Sequence, residues 1–87
     1  MLEGRAAFRD LLGRVDTLLR FNGEEARLPE LQKFWKAVDS PSSLIALAAF
    51  EKLLRLAHDL GSDAELLPFH ETALVWSRKV RAGSLRP

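Results

Sequence analysis

Cysteine and tyrosine are absent from this 87-residue chain, which holds one isoleucine, two threonines and four valines. Without cysteine there is no disulfide framework, no thiol nucleophile and no thiolate metal site. β-Branched and aromatic residues suit strands, and their scarcity argues against a sheet. The longest uncharged apolar run, Leu44 to Phe50, is seven residues, far short of the roughly 20 that a membrane span needs. Charges nearly cancel, 13 basic against 12 acidic for a net +1, so neither a basic nucleic-acid arm nor an acidic tail dominates. The first residues include Glu3, Arg5, Arg9 and Asp10 and lack the apolar core of an export signal, which points to the cytoplasm.

What is abundant is leucine, with 17 residues, and alanine, with 11. Both lose little freedom in a helix, and no stretch of five or more residues alternates cleanly between apolar and polar. The expected fold class is all-α. Apolar residues at positions 8, 11, 12, 15, 18 and 19 follow the spacing of one helical stripe. They predict a first helix from about Leu2 to Phe21, stopped by Asn22-Gly23. Gly4 and Gly13 weaken it slightly. After a polar connector, Glu24 to Arg27, Pro29 suits the first turn of a second helix. That helix has the stripe Leu28, Leu31, Phe34, Trp35 and Val38. Ser40 is the expected N-cap of a third helix, about Pro41 to Leu60.

The third helix is apolar over roughly 200° of its circumference, from Ile45 through Leu60, which makes it the expected hub. Its wet strip is Glu51, Lys52, Arg55, His58 and Asp59. Gly61 ends it, and Ser62-Asp63-Ala64-Glu65 has the spacing of a capping box for a fourth helix. Pro68 falls about a turn into that helix, where it starts or kinks the main segment. Leu66, Phe69, Ala73, Trp76 and Val80 form its stripe, with Leu67 and Leu74 on a flank. Connectors of about two to seven residues between these elements predict antiparallel neighbours. The architecture is a compact antiparallel four-helix bundle with a largely buried third helix, one domain over 1–82 with a tail at 83–87.

Chemistry-bearing constellations are few. His58 and His70, 12 apart across a turn, do not match a metal-ligand spacing. Ser77 lies seven residues beyond His70, about 10.5 Å along the helix, too far for a Ser–His nucleophile. No glycine-rich phosphate loop and no H-E-x-x-H pattern occurs. The sequence therefore predicts no catalytic residue, no metal site, no cofactor and no enzyme. The stretch Leu56-Ala57-His58-Asp59-Leu60-Gly61-Ser62 resembles the phospho-accepting helix of histidine phosphotransfer domains, which implies His58 as acceptor. The lysine that this family has shortly after its histidine is missing here, and the helix ends three residues on. Asp59-Leu60-Gly61-Ser62-Asp63 is similar to the loop of acyl carrier proteins, but Ala64 stands where the serine carrying the prosthetic arm would be.

A domain this small buries a modest fraction of its surface and has no disulfide to compensate, so apolar surface buried against another chain is expected. The predicted function is a non-enzymatic protein–protein interaction module that self-associates as a homodimer: a small regulator, adaptor or assembly subunit. Candidate contact residues are Phe34, Trp35 and Trp76 as aromatic anchors. His70 is expected at a helix or subunit contact, where it would make association pH-sensitive, and Arg78 and Arg81 are a charged rim. The alternative is a small nucleic-acid-binding protein using Arg5, Arg9 and Arg20 on the first helix with Arg78, Lys79, Arg81 and Arg86 at the end. Asp16 interrupts the first row, and the leucine-rich third helix is unsuited to reading base edges.

Overall fold

The structure is a computed structural model, and it describes residues 3–61 and 63–85, with the backbone alone at 63 and 64. Four α-helices follow one another: α1 Gly4–Phe21, α2 Leu31–Val38, α3 Ser43–Asp59 and α4 Asp63–Arg81. A 3-10 helix, Glu25–Glu30, precedes α2. The residues read as a polar connector and the first turn of the second helix are wound into this tighter turn, and Pro29 sits inside it. The fold is an all-α four-helix bundle, and among the described residues there is no strand.

Each helix is bounded by the chemistry of its ends. The Glu3 carboxylate accepts from the Arg5 and Ala6 backbone N–H groups at 3.1 Å each, which caps α1 and complements its dipole. At the other end Gly23 takes φ +73°. There Gly23 N–H donates to the Arg20 carbonyl and Glu24 N–H to the Leu19 carbonyl, the pairing of a Schellman stop. The same two-bond stop closes α4 at Gly83, from Gly83 and Ser84 to Val80 and Lys79. Ser42, not Ser40, caps α3: its hydroxyl accepts from Ile45 N–H at 3.2 Å. Ser40 instead accepts from Ser42 N–H, folding the Pro41 turn and delaying the helix by two residues. Leu2, Ser62 and Arg86 lie outside the described residues, and with them the capping-box reading. α4 runs through Pro68 rather than starting there; as its sixth residue, Pro68 lies just past the first turn and forfeits an intrahelical bond.

α1 and α3 each pack against every other helix, whereas α2 and α4 do not pack against each other. The third helix is thus a hub, and the first shares that role. Ala7, Phe8, Leu11, Leu12, Val15 and Leu19 of α1 are fully buried, facing Ala46, Leu47, Phe50, Leu53, Leu54 and Ala57 of α3. Phe8, Phe50 and Trp76 join α1, α3 and α4 through ring contacts of 5.5 and 5.7 Å between centroids. Among the described residues no buried side-chain polar atom lacks a partner. Within the expected tail, Gly83 and Ser84 are exposed while Leu85 packs against the core. No described helix is long and apolar enough to cross a membrane.

Candidate functional site

The burial pattern sorts the six candidate contact residues. Phe34 and Trp76 are core, at 9% and 4% exposure, and that corrects their reading as surface anchors. Phe34 falls at the centre of the α2 stripe between Leu31 and Val38. Trp76 lies under the N-terminus of α1, where a Cβ on Gly4 would stand 2.7 Å from its ring. Gly4 is therefore a point of close approach between α1 and α4, a role hidden in sequence behind its low helix propensity. Trp35 remains 43% exposed, because α2 is only eight residues long and buries a single narrow stripe. His70, Arg78 and Arg81 are all exposed on α4. Trp35 is on a helix that does not pack against α4, so the surviving candidates form two separate patches rather than one.

The richer patch is the outer side of the α3–α4 pair. A groove of about 490 Å³ runs between these helices, lined by Glu51, Leu54, Arg55, His58, His70, Ala73, Leu74 and Ser77. The fold brings His58 and His70 to one groove although they are 12 apart in sequence. Among the described residues, no group of three or more His, Asp or Glu side chains converges as a metal site. Leu67 and Leu74, 62% and 50% exposed, flank His70 along α4. Helical spacing aligns Leu67, Glu71, Leu74, Arg78 and Arg81 as one stripe, and every member is exposed. The Arg81 guanidinium donates to the Ser77 hydroxyl at 3.2 Å, at the end of the groove. Ile45, assigned to the apolar band of the third helix, is 58% exposed. It lines a smaller groove of about 310 Å³ against α2 with Lys33, Phe34, Ala48, Ala49 and Lys52.

Charge divides the molecule in two. The arginines of α1 and the 3-10 helix are engaged within the chain. Arg5 donates to the Val38 carbonyl at 2.6 Å, and Arg9 pairs with Asp39 at 3.0 Å. Arg14 bridges Asp10 and Glu65 while lying 5.4 Å above the Phe69 ring. Arg20 pairs with Asp16 at 2.7 Å, and Arg27 lies between Glu24 and Glu30. The hydrogen bond that Arg20 donates to the Asp16 carboxylate raises the Arg20 pKa, and the one that Arg27 donates to Glu30 raises the Arg27 pKa. On the α3–α4 face the opposite holds. Among the described residues, Glu51 and Arg55 of α3 and Glu71 and Arg78 of α4 form no intrachain ion pair. Glu51 and Arg55 line the α3–α4 groove, whereas Glu71 sits at the far edge of the α4 stripe and lines a groove toward α1 with Asp10, Arg14 and Glu65. The i, i+4 spacing of Glu51 and Arg55 permits a pair that the side chains do not make. Comparisons with known protein families, curated proteins and solved structures found no match to this chain.

Proposed function

We propose that this chain is a non-enzymatic protein-interaction module that associates with itself, a small regulator, adaptor or assembly subunit, and that its contact face is the outer side of α3 and α4. The observation that carries the reading is the state of that face. The four helices enclose their own core, yet Leu67 and Leu74 stay exposed beside unpaired charges of both signs. Apolar side chains interleaved with charges that lack an intramolecular partner are what a complementary protein surface satisfies. The face is two helices wide and some 17 residues long, about 25 Å by 20 Å from helix dimensions. That projects to roughly 500 Å² per partner, the low end of specific interfaces, against the 5517 Å² that the chain exposes. The proposed setting is the cytoplasm.

The test is the solution mass by light scattering on a sizing column across a hundredfold range of concentration. Twice the chain mass at the upper end supports the reading, and the monomer mass throughout overturns it. The nucleic-acid alternative is weakened by the engagement of Arg5, Arg9 and Arg20 within the chain. It rests on Arg78, Lys79 and Arg81, and its signature is a duplex shift that falls steeply with salt. Phosphotransfer rests on His58, exposed one residue before α3 ends, and its signature is an acid-labile phosphate on that imidazole.

A further inference from the structure

The geometry points to a specific partner for the α3–α4 face: a second copy of this chain, related by a two-fold axis that crosses both helices and lays each antiparallel on its own counterpart. This rests on the self-association proposed above and names the register. A two-fold contact requires a surface complementary to itself, in which residue i meets j and j meets i. On α3 the unpaired opposite charges Glu51 and Arg55 are symmetric about residue 53. On α4 the unpaired opposite charges Glu71 and Arg78 are symmetric about the junction of Leu74 and Val75. Each pair alone would match an antiparallel copy of its own helix.

The fold makes one axis serve both. The groove takes positions 51, 54, 55 and 58 from α3 and 70, 73, 74 and 77 from α4. In an antiparallel pair these sets put residue 53 of α3 level with residue 75 of α4. The two centres of symmetry thus differ by about half a residue, under ~1 Å at 1.5 Å per residue. An axis at that height sets Glu51 of one copy opposite Arg55 of the other, and Glu71 opposite Arg78, twice each. It brings the exposed Leu74 side chains of the two copies together at the axis. Leu67 then meets the aliphatic stem of Arg81, and Ala48 leaves room opposite His58. The net charge of +1 per chain gives two copies little long-range repulsion.

The experiment uses the full chain and charge exchange, read by sedimentation equilibrium with circular dichroism to verify the fold. Glu71→Arg places two like-charged contacts across the axis and is expected to weaken the dimer about tenfold or more, as like charges juxtaposed at an interface do. Arg78→Glu does the same. The double variant Glu71→Arg/Arg78→Glu restores the pairing with its sense inverted and is expected to return to within about threefold of the parent. Leu74→Glu sets two carboxylates against each other at the axis and abolishes the dimer. Lys36→Glu, on α2, leaves it unchanged. A dimer indifferent to the single exchanges overturns this face while the self-association reading stands. Weakened singles without rescue by the double overturn the antiparallel register. A monomer at every concentration overturns both.

Discussion

Two glycines on one helix are expected to respond to the same substitution with opposite signs. Gly13 lies in the interior of α1, exposed, with no atom within 4 Å of the place a Cβ would take. Alanine there gains helix propensity without steric penalty, about 0.5–1 kcal/mol. Gly4 is the first residue of α1, and its Cβ would stand 2.7 Å from Trp76 Cδ2 and Cε3 and 3.2 Å from Cζ3. Carbon contacts are optimal near 3.5–4.0 Å, so the ring or the helix end must yield by about 1 Å. Trp76 is 4% exposed and packed at 5.7 Å against Phe50, so the ring can yield only toward the groove it lines with Glu3, Val75 and Leu85. Lifting the helix end instead strains the Glu3 cap and the Arg5 bond to the Val38 carbonyl.

Overpacking of this kind costs about 1–3 kcal/mol, and the propensity gain at a first helical position offsets only part of it. Gly4→Ala is therefore expected to destabilise by about 1–2 kcal/mol, lowering Tm by roughly 4–16 °C for a domain of this size. Gly13→Ala is expected to raise Tm by roughly 2–8 °C on the same scale. Thermal melts followed by circular dichroism at 222 nm, at one protein concentration, read both. A Gly4→Ala protein as stable as Gly13→Ala would refute the close packing of α1 on Trp76.

The two tryptophans should separate clearly: Trp76→Ala costs about 3–5 kcal/mol, Trp35→Ala, which removes a ring only about half buried, about 1–2 kcal/mol, and acrylamide quenches Trp35 much more than Trp76. Equal quenching in the two single-tryptophan variants would contradict their burial. Ser42→Ala removes the α3 cap and is expected to cost about 1 kcal/mol in urea unfolding, while Ser40→Ala costs less; the reverse order would return the cap to Ser40. Arg5→Ala deprives the last turn of α2 of a donor to the half-buried Val38 carbonyl and should cost about 1 kcal/mol. Arg9→Ala breaks a solvent-exposed pair and should cost under about 0.5 kcal/mol, so equal losses would refute the distinction.

Helix number, order and most boundaries are legible from apolar spacing and from glycine. The α1 stripe is buried almost as the spacing of Phe8, Leu11, Leu12, Val15 and Leu19 requires. Gly23, Gly61 and Gly83 all take positive φ at helix ends. Local ambiguity accounts for the misses in boundaries. Ser40 and Ser42 both precede a helix-compatible stretch, and only the Pro41 turn decides which hydroxyl reaches a free N–H. Depth is a different matter. Phe34 and Trp35 are adjacent and both aromatic, and which one is buried depends on the direction from which α1 and α3 close on α2. Ile45 belongs by composition to the apolar band of α3 but faces a shallow groove beside Lys33 and Phe34, because the eight-residue α2 covers only part of that side.

The surface shows most sharply what a linear reading cannot contain. In sequence, Glu51 and Arg55 are an ordinary i, i+4 pair, and Arg78 is a cation complementing the end of a helix dipole. Their significance changes once α3 and α4 are side by side, because the symmetry of one charge pair can be compared with that of the other only through the relative height of the two helices. That height follows from the short Gly61 connection and from the packing of Leu54 and Ala73 at the floor of the groove. Core packing thus sets the register that the proposed contact requires. A variant that slides α4 by one turn, about 5.4 Å, would keep every charge exposed and every helix intact, yet leave no common axis. The sensitivity of self-association to core substitutions at the α3–α4 contact, such as Leu54→Ala, is therefore expected to exceed their effect on helicity. Sedimentation and circular dichroism on the same sample measure the two separately, and parallel losses would refute the dependence.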